Sequence, residues 1–178
     1  GLCGWKSLSG LLDKALDEAR QAYAIKAQPV YKHQEARILF TKGDYADAAN
    51  IFLDLTKTPI NSGELYLEAA QAKTRLKAPD SEIEMLLDSA VSVGARTNMA
   101  GPYYLARAQY LADKGQYRRA VQDYNMYDSI ARPVDPAFFY ARYQCETKLF
   151  RKNLLTFLSF PDIRQLAYRL VLLPFSDS

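Results

Sequence analysis

The sequence predicts an all-α protein made of stacked helical hairpins, and three observations carry that expectation. A short motif recurs along the chain. Apolar residues after each copy fall at helical spacing. The composition, 49% hydrophobic and 24% charged over 178 residues, is that of a folded globular chain without disordered tracts. The motif is Gly-x-(aromatic or Leu)-x-x-Ala. It occurs at Gly10-Leu11-Leu12-Asp13-Lys14-Ala15, at Gly43-Asp44-Tyr45-Ala46-Asp47-Ala48 and at Gly115-Gln116-Tyr117-Arg118-Arg119-Ala120. Gly10 and Gly43 are 33 residues apart, and Gly43 and Gly115 are 72 apart, which leaves room for one degenerate copy.

The elements follow in order from that period. Residues 1–28 read as a partial first repeat with its turn at Gly10, entered inside a first helix as though part of a longer array. Residues 29–62 form a full copy turning at Gly43, in which Ala48, Phe52 and Leu55 fall at i, i+4 and i+7 on one helical face. In residues 63–98 the glycine is replaced: Leu65 to Ala70 read as a first helix, Lys77 to Ser81 as the turn, and Ile83, Leu87 and Ala90 as the second-helix stripe. Residues 99–134 turn at Gly115 and repeat the stripe as Ala120, Tyr124 and Tyr127. Residues 135–160 form a weaker copy with its turn near Lys148 to Asn153, where both glycine and alanine are lost, and with Phe157 and Phe160 in its stripe. In residues 161–178, Ile163, Leu166, Ala167, Leu170 and Val171 have amphipathic helical spacing and predict a capping helix; Leu172, Leu173 and Phe175 beyond it offer a partner contact instead. The total is about nine or ten helices of roughly 10–16 residues and no β-sheet.

Each conserved-looking place in the motif has a physical task. Glycine ends a first helix in a left-handed cap that other residues enter at a cost, and alanine lets two antiparallel helices approach closely. The aromatic stripes, at helical spacing, read as core.

At these residues the chain resembles the tetratricopeptide repeat family, whose unit of roughly 34 residues carries the pattern W-x-x-L-G-x-x-Y…A-x-x-x-F…P. The match runs best over Lys32 to Pro59 and Tyr104 to Pro133, with Ala36 and Ala108 where the family prefers glycine and Tyr104 where it prefers tryptophan. The resemblance implies a right-handed α-solenoid of antiparallel helical hairpins, a tetratricopeptide-like superhelix, with first helices lining a concave groove. Transferring the groove face gives His33, Arg37 and Phe40; Glu64, Glu68, Gln71 and Arg75; Gln109 and Asp113; and Phe138, Arg142 and Glu146. Arg37, Gln71, Gln109 and Arg142 occupy equivalent places and would form a ladder of polar donors along the groove. The lysine and asparagine set with which one subclass clamps a C-terminal carboxylate is missing, since His33 and Arg37 stand at the first two of those places.

Catalytic chemistry finds little to stand on. His33 is the single histidine, so no histidine pair is available for a metal, and Cys3 and Cys145 have no companion ligand spacing. Glu82 and Glu84 diverge in direction, Asp13 and Asp17 lie one turn apart on a solvated face, and no phosphate-cradling glycine string occurs. The expectation is a non-enzyme with no cofactor and no metal. A net charge of +3 with scattered basic residues argues against nucleic acid as partner, and no run of about 18 apolar residues is present to insert in a membrane. Gly1-Leu2-Cys3 is only a fragment of what a lipid-anchor signal requires. The function these readings converge on is a scaffold that binds a protein or peptide partner in its groove. The alternative is a spacer segment of a longer repeat protein without a groove of its own.

Overall fold

The computed structural model describes residues 2–96 and 99–159, with side chains for 9–96 and 99–156. Among these the protein is all-α, with eight helices and no strand: α1 (Leu2–Ile25), α2 (Pro29–Lys42), α3 (Tyr45–Leu55), α4 (Gly63–Arg75), α5 (Asp80–Arg96), α6 (Gly101–Asp113), α7 (Tyr117–Ala131) and α8 (Pro136–Ser159). The chain divides into two compact units, residues 1–107 and 108–178, with the division inside α6. No helix among the described residues is long and apolar enough to cross a membrane.

Three turns fall where the motif puts them, and for one shared reason. Gly43, Lys77 and Gly115 all have left-handed backbone, with φ of 96°, 54° and 73°. At each, two N–H groups reach back to orphan carbonyls of the helix just ended: Gly43 to Phe40 and Asp44 to Leu39, Lys77 to Thr74 and Ala78 to Lys73, Gly115 to Ala112 and Gln116 to Leu111. This is the Schellman pattern of paired 5→2 and 6→1 bonds. Lys77 adopts it without glycine's freedom, at a cost of about 1–2 kcal/mol for a left-handed L-residue. The next helix starts two residues after Gly43 and Gly115, and Pro29 opens α2 at a position whose missing N–H is no loss.

Two expected turns are absent among the described residues, so that α1 and α8 each run as one helix where two were expected. α1 runs unbroken through Gly10 and α8 through Lys148. Gly10 is exposed and has no neighbour within 4 Å of where a Cβ would be, so nothing packs there to reward a turn. A glycine inside a helix costs only about 1 kcal/mol, less than losing a turn's hydrogen bonds, and Leu11, Leu12, Lys14 and Ala15 are good helix formers. Lys148 to Lys152 has no glycine at all. The predicted cap over 161–178, and the side chains of Phe157 and Phe160, lie outside the described residues.

In the first unit each helix packs on the next, from α1 on α2 through α4 on α5. Ala36, Ala48, Ala49, Ala69, Ala72 and Ala90 are fully buried, with Phe52, Leu65 and Leu87 filling the space between them. In the second unit α7 packs on α8, where Ala108, Leu111, Ala120 and Tyr124 are buried and Phe138 meets the rings of Tyr124, Tyr127 and Phe139 edge to face.

Candidate ligand-binding cleft across α2, α3 and α4

Helical spacing alone puts His33, Arg37 and Phe40 on one face of α2, and Glu64, Glu68, Gln71 and Arg75 on one face of α4. The fold brings those faces together. Arg37, Phe40 and Thr41 from α2, Phe52 from α3, and Glu68 and Gln71 from α4 line a cleft of ≈ 220 Å³. Phe40 and Phe52 are its apolar surfaces. Phe40 is held by an edge contact with Tyr45 at 5.1 Å between centroids, and the Thr41 hydroxyl donates to the Arg37 carbonyl.

Glu68 organises the polar side. His33 Nε2 donates to Glu68 Oε2 at 2.5 Å, and the Arg37 guanidinium stands 3.5 Å from Oε1. The imidazole also lies edge-on to Phe52, at 5.8 Å and 71°. The hydrogen bond to Glu68 raises the His33 pKa above its ordinary value; burial opposes this, and the charges of Glu68 and Glu64 add to it. Behind this face α2 is tied to α1 by Glu35, a buried carboxylate that accepts from Arg20 Nε at 2.8 Å and Lys32 Nζ at 2.7 Å. Burial alone would raise the Glu35 pKa, but the two cations hold it below the usual carboxylate range.

Five of the sequence-derived groove residues, His33, Arg37, Phe40, Glu68 and Gln71, thus meet at or beside one cleft, with Arg75 exposed one turn further along α4. In the second unit Gln109 and Asp113 are exposed on α6. Two expectations there are corrected. Phe138 is buried at 6% exposure among aromatic rings, so it is core and not groove, because α8 turns this side toward α7. Arg142 is not a free rung of a ladder: it donates to Asp128 on α7 at 3.0 Å and to Glu146 at 2.9 Å, beside Asn125, Ser129 and Arg132.

The sequence reading missed two features. Phe52 belongs to the core, at 1% exposure, yet also lines the cleft, and a core stripe gives no signal of that. Glu64, His33 and Glu68 bring one ligand atom each to within 4.8 Å of one another. A search for histidine pairs passes over such a set, although the i, i+4 glutamates about one repeat after a histidine were visible. No protein-family model matches the chain, and no curated protein matches it.

Proposed function

We propose that the chain is a tetratricopeptide-type repeat protein, of the right-handed α-solenoid kind, that binds an extended segment of a partner protein across α2 and α4. The observation that carries this reading is the cleft itself, with apolar surfaces from Phe40 and Phe52 and a rim of Arg37, Thr41, Glu68 and Gln71. At ≈ 220 Å³ it is smaller than the roughly 300–1,000 Å³ usual for cofactor and small-molecule sites, and suits one peptide side chain. Gln71 carries an amide and Arg37 a guanidinium, both exposed and able to bond the peptide backbone on either side of that anchor. The repeat reading is supported by the shared cap at Gly43, Lys77 and Gly115, and by the full burial of Ala36 and Ala108 and of Ala48 and Ala120 at equivalent places.

The reading as a non-enzyme is supported by the fate of the candidate nucleophile and base. Cys145 is buried in the second unit, where burial pushes its thiol pKa up, and His33 is engaged by Glu68 in the first. The spacer alternative is favoured for the second unit, where Phe138 is core and Arg142 is ion-paired.

The test is to pan a random peptide display library on the immobilised protein and to rank hits against Gln71→Trp, which would fill the cleft from an exposed position. Peptides sharing one apolar anchor are expected, bound about tenfold or more weakly by the variant while its melting temperature stays within about 2 °C of wild type. No enriched peptides, or equal binding to the variant, overturns the proposal.

A further inference from the structure

The geometry points to a second property of this face: His33, Glu64 and Glu68 form a site for one divalent transition-metal ion of the zinc class. The donor set is one imidazole and two carboxylates, a combination that zinc accepts and that hard, oxygen-seeking magnesium and calcium do not favour. Glu64 and Glu68 are one turn apart on α4, so both carboxylates leave the helix on the side facing α2, and His33 meets them from there.

Three details separate this set from an ordinary ion pair. First, the His33–Glu68 hydrogen bond accounts for one carboxylate only; the Glu64 carboxylate has no hydrogen bond or ion pair among the described residues, yet its oxygen lies within 4.8 Å of the other two donors. Second, two of the ligands are held in place: His33 and Glu68 side chains are only 19% and 15% exposed, and the imidazole is fixed against the Phe52 ring. The third ligand is exposed and free to close. A tetrahedral ion with bonds of about 2.0–2.1 Å needs donors about 3.3 Å apart. His33 Nε2 and Glu68 Oε2, 2.5 Å apart, therefore give up the proton between them and separate slightly as the ion enters, and Glu64 closes on it by side-chain rotation. Third, the competing cation is weakly placed. Arg37 is 3.5 Å from Glu68 and 63% exposed, so it can turn to solvent when the ion enters. Three protein ligands leave a fourth position for water.

The probe is the metal alone. Cobalt(II), a coloured substitute for zinc, is titrated into the full 178-residue protein in parallel with His33→Ala and Glu64→Gln, and zinc is then used to displace it. Saturation at one ion per chain is expected, with visible absorption of a four-coordinate site, displacement by zinc, and a zinc-dependent rise in melting temperature. Affinity should fall about tenfold or more in each variant. Glu64 is exposed, so Glu64→Gln reports on the site even if His33→Ala folds poorly. The absence of saturable binding, or binding unchanged by Glu64→Gln, overturns the proposal. This inference does not rest on the peptide reading, and the two experiments fail separately.

Discussion

Replacing Gly94 by alanine sets two effects of known size against each other. Gly94 lies inside α5, where alanine is favoured over glycine by about 1 kcal/mol on helix propensity. The methyl group, however, has nowhere to go. It would overlap the Cδ2 and Cε2 ring carbons of Tyr103 on α6 and sit 3.1 Å from the Ala100 Cα. Tyr103 cannot simply lean away, because its ring is also caught by Gly63, where a Cβ would stand 2.5 Å from Cε2 and 2.7 Å from the Ala90 carbonyl oxygen. Overpacking of this kind costs about 1–3 kcal/mol, and the steric overlap here is severe, so the cost lies at the upper end. The net expectation for Gly94→Ala is destabilisation by about 1–2 kcal/mol, or a fall in melting temperature of about 2–8 °C for a chain of this size. Gly10→Ala is the matched control. Gly10 is itself exposed, inside the continuous helix α1 with open space around it, so the same change there should stabilise by about 0.5–1 kcal/mol. Urea unfolding of the two variants beside wild type, read by circular dichroism, separates the cases. The double variant with Tyr103→Leu should recover part of the Gly94→Ala loss, since the clashing ring is gone. If Gly94→Ala stabilises as Gly10→Ala does, the packing of Tyr103 against α4 and α5 is wrong.

Other outcomes follow from the same structure. Ala48→Leu and Ala120→Leu place three extra heavy atoms at fully buried positions, and each should lower stability by about 1–3 kcal/mol in denaturant titration; no loss at either would mean the helix phases are misassigned. Lys77→Gly should raise stability by about 0.5–1 kcal/mol, because the left-handed cap at φ 54° is strained for lysine; a loss in the same titration would show that the turn is not left-handed. Tyr124 is almost fully buried, and burial, with smaller contributions from Cys145 and Asp113, pushes its hydroxyl pKa up to about 12. A folded-state pKa above the unfolded value means its stabilising effect is complete below pH about 10 and is lost as pH rises from about 10 toward 12. Tyr124→Phe should therefore lose less stability than wild type between pH 9 and about 11.5, and parallel pH profiles would contradict the burial of that hydroxyl.

Helix existence, helical faces and three of the five expected turns were legible in the sequence, because each depends on residues within a few positions of one another. A Schellman cap closes over six residues, so the motifs at Gly43 and Gly115 announce it directly, and the repeat period recovers it at Lys77 where the glycine is missing. The same logic misplaced turns at Gly10 and Lys148. A turn is favoured only where the following helix finds a surface to pack on, and that surface is supplied by distant chain. Likewise, spacing alone put His33, Arg37 and Phe40 on one face of α2, but not what that face would meet. That Glu68 engages both His33 and Arg37, that Glu64 joins them, and that Phe138 is buried against α7 while Phe52 lines a cleft are consequences of how helices stand side by side. Local hydrogen bonding and periodicity specify a helix and its phase. Only tertiary packing decides which side of that helix is lost to the core and which is left to bind.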